Sequence, residues 1–407
     1  VTRWAAHHAV PLDTVDPAAP LDDLAPLRRS IGDAEIVGLG ESVHGAAEEI
    51  GLKHRVLRLL VEEMGFHSIA WEEDWATGRQ IDAYISGGPG DLDTLVGRMS
   101  SQWQSREVAD VLRWLRSHNA GRPDRDQVRF VGVEYYLTGQ PAYDAVDDHV
   151  ATTAPDRLAE LRRNLALVRP ATPDVYAHIQ WYTGVTDKQP YLRAAREVLE
   201  LVAGLSHAPG DRAHELIVQQ ARQIVSFYEH FSLPEADALV LRDARAAENL
   251  RWWRHFTGDK IAYWAASPHT ANAPGLRLAD PPAPARRFAS AGSYLRRWYG
   301  RGYRSIGFTF DHGTLSLGPG ATVAAPPPRS GWFERPFGAV GPEQFAVDLR
   351  PRVPAPAPAP VRRWLTAPVV TRGLPDGGPD AHTAGGTLAQ WFDVIVHRQQ
   401  VTPARPL

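Results

Sequence analysis

Short apolar runs alternate along the chain with stretches in which apolar residues recur every three or four positions. Six runs read as buried strands: "AEIVGLG" (34–40), "FHSIAWEE" (66–73), "VRFVGVEYY" (128–136), "DKIAYWAAS" (259–267), "YRSIGFTFD" (303–311) and "QWFDVIVH" (390–397). Each is apolar, β-branched or aromatic, and each is bounded by polar or Gly-rich residues. Helical patterns lie between the early runs. In "AAEEIGLKHRVLRLLVEEMG", Ile50, Val56, Leu57, Leu60 and Val61 share a face opposite the charges. "SREVADVLRWLRSHNAG" opens on a Ser cap and stops near Gly121. Strand alternating with helix predicts an α/β fold with a mainly parallel central sheet covered by helices on both faces.

From about 155 to 257 the strand signal stops and four helix-like segments follow. They predict a helical lobe inserted between sheet strands, placed as a cap over a pocket. The expected division is an N-terminal α/β segment of the sheet (1–150), the helical lobe (151–257) and a C-terminal α/β segment of the same sheet (258–407), forming one catalytic unit. Pro-rich stretches follow at 280–287, 325–331 and 351–363. The last is expected to be an extended polyproline segment on the surface.

Composition narrows the function classes. The chain has 407 residues, 43% hydrophobic and 22% charged, as soluble globular proteins do. A net charge of -3 gives no electrostatic reason to expect nucleic acid or an anionic membrane as partner. There is no long apolar run and no signal-type segment in "VTRWAAHHAV", so a cytoplasmic protein acting on a small molecule is expected. Cysteine is absent, which removes disulfides, thiolate nucleophiles and Cys-based metal sites together. Thirteen tryptophans suit an aromatic cleft for a bulky apolar ligand, although Trp103, Trp114, Trp252 and Trp253 fall at core-like helical positions.

The polar residues collect where strands end. Strand 34–40 is followed by Glu41 and His44, and strand 66–73 finishes in Glu72, Glu73 and Asp74. Strand 128–136 carries Glu134 near its end. Strand 259–267 leads to His269, and strand 303–311 to Asp311 and His312. C-terminal strand ends of a parallel sheet share one edge, and ligands bind there. Carboxylates beside an imidazole fix its tautomer and raise its pKa, which suits general acid–base chemistry. There is no G-x-S-x-G elbow and no phosphate loop. Glu41-x-x-His44 has di-metal spacing but no second copy on another helix, so neither metal nor cofactor is expected. His54 is expected to satisfy local hydrogen bonds, and His7 and His8 to belong to a mobile terminus.

The blocks "GLGESVHG", "LKHRVLRLLVEEMGF", "IAWEE", "REVADVLRWLRSHN", "VRFVGVE", "LRDARAAENLRWW", "AGSYLRRWYGRGYRSIGFTFDHGTL" and "WFDVIVHRQQVTPARPL" occur in that order. Together they resemble the erythromycin esterase family, with its EreA/ChaN-like fold. The resemblance implies an α/β sandwich with a helical lobe and a metal-independent hydrolase that opens macrolide lactones. It maps the water-activating histidine to His44, the accompanying acids to Glu41 and Glu72, and an Arg-Asp pair to Arg242 and Asp243. Two departures stand out. The family pattern A-H-N-x-H reads "AASPH" from Ala265 here, with Ala266 at the first His position and Ser267 at the Asn position, so only His269 remains of a histidine pair. The next helix offers Lys53, with Arg55 two residues on, where relatives have an Arg; the two cations are not equivalent.

The candidate site is therefore His44, Glu41, Glu72 and His269 as catalytic groups, with Lys53, Arg55, Glu134, Arg242 and His312 as substrate-binding groups. Arg242 has a competing reading as a partner of Asp243 or Glu248 on its own helix. The first functional reading is hydrolysis of an ester or lactone in a bulky apolar polyketide-type compound. A second uses the same base without water, as a cyclase, lyase or isomerase of natural-product biosynthesis. A third is a binding protein without turnover, disfavoured because burying charge without a task is costly. The departures predict poor hydrolysis of erythromycin-type macrolides.

Overall fold

The computed structural model describes residues 1–318, 320–350, 357–373, 377–378 and 380–407. Its strands, in chain order, are β1 (Val10–Pro11), β2 (Ile36–Glu41), β3 (Phe66–Asp74), β4 (Arg129–Glu134), β5 (Lys260–Ala266), β6 (Leu276–Ala279), β7 (Arg286–Phe288), β8 (Tyr303–Ser316), β9 (Thr322–Ala325), β10 (Gln344–Asp348), β11 (Pro368–Arg372), β12 (His382–Thr387) and β13 (Val394–Val401). The large sheet runs β1-β10-β13-β8-β2-β5-β3-β4, with β9 paired to β8. From β13 to β4 every pairing is parallel. All six runs read from the sequence lie in this parallel core.

Side chains alternate across the strands and sort into two layers. Val37, Leu39, Ile69, Trp71, Ala262 and Trp264 face the helices Ala47–Met64 and Arg106–Asn119. Ile36, Ala70, Ile261, Tyr263 and Ala265 face the helices Glu235–Thr257 and Ala291–Tyr299. The helix at 47 ends at Gly65, whose φ of 71° suits a left-handed cap. The helix at 106 starts on the expected cap, Ser105, whose hydroxyl accepts from Val108 N at 3.2 Å.

The segment between β4 and β5 is helical. Ala142, Tyr143, Val146 and Val150, on the helix Gln140–Thr153, share one apolar cluster with the helices Leu158–Val168, Gln189–Ala203 and Arg212–His230. The helix Glu235–Thr257 instead packs Ala246, Ala247, Leu250 and Trp253 on the sheet.

Two local expectations are corrected and one sheet is unforeseen. Residues 359–363 are not polyproline: Pro358 opens the helix Ala359–Thr366, whose Val361 and Leu365 are buried. Residues 351–356 of that stretch lie outside the described residues. Short strands β6, β7, β11 and β12 form a second, antiparallel sheet that gave no periodic signal. His7 and His8 end an ordered helix, Thr2–His8, in which His8 Nδ1 lies 2.9 Å from Trp4 O. Among the described residues, no helix is long and apolar enough to cross a membrane.

The lobe is joined to the sheet by buried amides. Asn249 Nδ2 donates to Val133 O at 2.9 Å and to Gln223 Oε1 at 3.0 Å, while its Oδ1 accepts from Gln219 Nε2 at 2.7 Å. Asn249→Ala strands several buried polar groups, each costing about 1–3 kcal/mol. We expect a stability loss of about 3 kcal/mol in urea unfolding with an unchanged m-value. A loss within experimental error would show that the amide joint does not fasten the lobe.

Candidate active site

Strand ends deliver the acidic groups, and helices from both layers deliver the cations. Glu41 closes β2 and continues the parity of Val37 and Leu39, so it points toward the layer of the helix Ala47–Met64. There Lys53, fully buried, makes an ion-pair contact between its Nζ and Glu41 Oε2. The ammonium also lies 4.2 Å from the ring centroid of Trp264. The other oxygen, Oε1, lies 2.9 Å from His44 Nδ1.

His44 sits in a loop whose shape depends on glycine. Gly45 has φ 88°, and a Cβ there would collide with Ser316 O. Gly40, inside β2, lies against Thr270 and Ser267 with no room for a side chain. The His44 ring meets the edge of Trp103 at 4.7 Å between centroids. Trp103 is anchored by its own indole N–H, which donates to Glu72 O at 2.8 Å.

β3 ends in a register shift between Trp71 and Asp74, which re-aims the consecutive acids. Glu72 turns toward the opposite layer. Its Oε1 accepts from Arg242 Nη2 at 2.9 Å and lies 3.2 Å from His269 Nε2, and its Oε2 accepts from Ala266 N at 2.9 Å. Glu73 and Asp74 do structural work instead. Glu73 accepts from Ser100 N at 2.7 Å, and burial pushes its pKa up to about 8. Asp74 caps the next helix through Ala76 N at 2.9 Å.

Arg242 bridges two strand ends, pairing Glu72 on β3 and Glu134 on β4, the latter with Nε–Oε2 at 3.1 Å and Nη2–Oε1 at 3.0 Å. Its partners are therefore not Asp243 or Glu248. Asp243 faces His269 Nδ1 at 3.0 and 3.1 Å and accepts from Ala291 N at 2.8 Å. His269 is thus held at both ring nitrogens.

The electrostatics separate the two histidines. Burial pushes the His44 pKa below the ordinary histidine value; Glu72 opposes this, and His269 and Arg242 reinforce it. Burial works against a charge on His269 too, but Asp243 and Glu72 lift its pKa to about 10. At neutral pH His44 is a neutral imidazole and His269 a fixed imidazolium. Glu72 is held well below the usual carboxylate range: burial opposes its charge, but His269, His44 and Arg242 outweigh it.

The structure thus brings together Glu41, His44, Lys53, Glu72, Glu134, Arg242 and His269. It does not bring in Arg55 or His312. Residues two apart on a helix point about 200° apart, so Arg55 leaves the opposite side from Lys53. There it is buried against Asp23 at 2.7 and 2.8 Å. β8 continues to Ser316, past the expected end at 311, so His312 lies within the strand. Its side chain is 46% exposed and its Nδ1 lies 3.0 Å from Asp311. Lys53, with no exposure, meets Glu41 and cannot meet a substrate. His54 also departs from expectation: both ring nitrogens are buried without partners, and burial lowers its pKa to about 3.

Asp243 and the wall formed by Trp103 are not among the candidates that residue pattern supplies. Asp243 is visible in the sequence only as the residue beside Arg242 in the family blocks. Trp103 is as buried as a core residue, and nothing local marks its contact with His44.

Three comparisons bear on this site. The family profile described as "Erythromycin esterase" matches residues 61–401. "Erythromycin esterase type II" of Escherichia coli is 30% identical over 160 residues, 38% of this chain, and the chain spans only 37% of that protein's length. Among solved structures, a succinoglycan biosynthesis protein is 25% identical with TM-score 0.83, covering 99% of this chain and 97% of its own. A histidine-to-asparagine variant of the erythromycin esterase EreC in its open conformation shares the fold at 17% identity, TM-score 0.70 and 97% coverage of each chain.

His269 gives the site a pH signature. Its raised pKa contributes stability that is full below the unfolded value of about 6.5 and is lost as pH rises through about 10. The stability gap between wild type and His269→Gln should therefore be widest near pH 6 and narrow toward pH 10. Urea unfolding across that range checks this, and a constant gap would contradict the charged state assigned to His269.

Proposed function

The chain belongs to the erythromycin esterase family, and within it we propose that this protein hydrolyses an ester or lactone of a bulky, largely apolar polyketide-type natural product, with His44 as the general base. One observation carries this reading. His44 Nδ1 is tied to Glu41, while Nε2 has no hydrogen-bond partner among the described residues and the side chain is 20% exposed. Donation of Nδ1–H to a carboxylate leaves the Nε2 lone pair facing the opening. A lowered pKa keeps that lone pair free at neutral pH.

In the proposed step Nε2 takes a proton from water as the oxygen attacks the carbonyl carbon. Glu41 stabilises the imidazolium that forms, and Lys53, whose own pKa burial pushes well below the ordinary lysine value against the opposing pull of Glu72, orients Glu41. His269 is a positioning residue in this scheme. It acts through Glu72, whose negative charge supports the protonated His44. The oxygens of Glu41 and Glu72 already face His44, Lys53, Arg242, His269 and a backbone N–H, and no step is assigned to a metal. Ala266 offers no imidazole, which supports a substrate other than an erythromycin-type macrolide.

His44→Ala should lower turnover about 100- to 10,000-fold in a folded protein, measured with a panel of lactones and esters in water labelled with oxygen-18. Label in the new carboxylate supports hydrolysis. Conversion that needs His44 but takes up no label would move the reading to a cyclase, lyase or isomerase.

Glu72 raises the His44 pKa, so removing its charge should shift the acidic limb of the kcat/KM profile to lower pH. Glu72→Gln tests this, and an unmoved limb would take Glu72 out of the proton-transfer network. Exhaustive chelation should leave turnover intact; a stoichiometric metal whose removal abolishes it would overturn the metal-free step.

A further inference from the structure

The charged cluster meets solvent through few side chains. His44 is 20% and Arg242 17% exposed, whereas Glu41, Lys53, Glu72, Glu134 and Asp243 are nearly closed off beneath them. Tyr136, two residues beyond Glu134 at the end of β4, is the third partly open group. The Arg242 guanidinium lies over its ring, 4.7 Å from the centroid. The two side chains therefore lie side by side at the edge of the cluster.

Their hydrogen-bond inventories are incomplete in a particular way. The Tyr136 hydroxyl has no protein partner among the described residues and is not one of the buried unpartnered atoms, so it has access to solvent. Its neighbour Tyr135 differs, with its hydroxyl 3.2 Å from His230 Nδ1. Arg242 commits Nε and Nη2 to Glu134 and Glu72, and its Nη1 has no protein acceptor among the described residues and is likewise not a buried unpartnered atom. The partly exposed groups of the cluster thus offer one lone pair, on His44 Nε2, and two unused donors, on Tyr136 and on the Arg242 that lies over its ring.

A carbonyl under attack by water needs that set: a base for the water and donors for the oxygen that gains charge. Resting on the hydrolytic reading above, we propose that Tyr136 is a catalytic residue whose hydroxyl, with Arg242 Nη1, donates hydrogen bonds to the carbonyl oxygen as it becomes an oxyanion. Water oxygen forms the new bond to carbon, and the carbonyl π pair moves onto the oxygen facing Tyr136. The water proton goes to His44 Nε2. Collapse of the tetrahedral intermediate restores the carbonyl, breaks the bond to the leaving oxygen and returns the His44 proton to it. Tyr136 keeps its own proton throughout. Burial raises its pKa, Glu134, Glu72 and Glu73 add to the effect and only Arg242 opposes it, so the phenol stays a neutral donor.

The test is Tyr136→Phe, which removes one oxygen and keeps the ring under Arg242. The probe is a phenyl alkylphosphonate, a stable anion that imitates the tetrahedral state, with affinity measured by calorimetry. Wild type should bind it, and the variant should bind about 100- to 1,000-fold more weakly, the usual cost of one oxyanion donor. For any ester that is turned over, kcat should fall by a similar factor with KM little changed. An unchanged urea midpoint separates this from a structural role. Equal phosphonate affinity in the two proteins, or none in wild type, overturns the assignment of Tyr136. His44→Ala keeps the premise separate: if it is inactive while Tyr136→Phe binds phosphonate normally, only the Tyr136 inference falls. If His44→Ala retains turnover, the hydrolytic reading itself falls.

Discussion

Four carboxylates, Glu41, Glu72, Glu134 and Asp243, crowd the C-terminal edge of the sheet with almost no access to water. Burying a carboxylate without a partner is costly, its desolvation amounting to several kcal/mol. Lys53, Arg242 and His269 lie against these carboxylates, and each arrives from a different part of the chain. The architecture of the site follows from that need for compensation. One helix behind the first layer brings Lys53 to Glu41. One helix behind the second layer brings Arg242 and Asp243. The short turn after β5 brings His269 between them. His44 is the member of this group whose reactive nitrogen is not used up in holding another residue.

How much of this is legible in the sequence depends on whether the signal is local. Glu41, His44, Glu72, Glu134 and His269 can be read because strand ends in a parallel sheet share an edge, and an apolar run that stops at a polar residue marks such an end. Arg55 lies elsewhere because closeness to Lys53 in sequence is not closeness in space on a helix that turns 100° per residue. His312 departs for a different reason. β8 runs on through "GTLS" to pair with β9, and no apolar pattern distinguishes that extension from a loop. Asp243 and Trp103 act through residues far away in sequence, which no periodicity encodes. The fold is most legible in its parallel core. It is least legible in the second sheet, whose strands of three to six residues lie among prolines and glycines.

The same division separates what the family resemblance adds from what the geometry adds. The ordered blocks identify the kinship, and the relatives show that the fold carries more than one named role. The charge pattern then distinguishes two histidines that look alike in sequence. One is paired at both nitrogens and charged at neutral pH. The other is paired at one and neutral, and only the second keeps a ring nitrogen without a protein partner among the described residues.

The helix Glu235–Thr257 carries Arg242 to the strand ends and Asn249 to the amide joint with the lobe. Seven residues separate them, close to two full turns, so the two side chains leave the helix on nearly the same side, about 10 Å apart. An inserted or deleted residue inside that interval would rotate one end by about 100° relative to the other, either turning Arg242 away from Glu72 or unfastening the lobe. The loops between lobe helices carry no such constraint. The lobe is free to change its length and its surface, while this one interval has to keep its count.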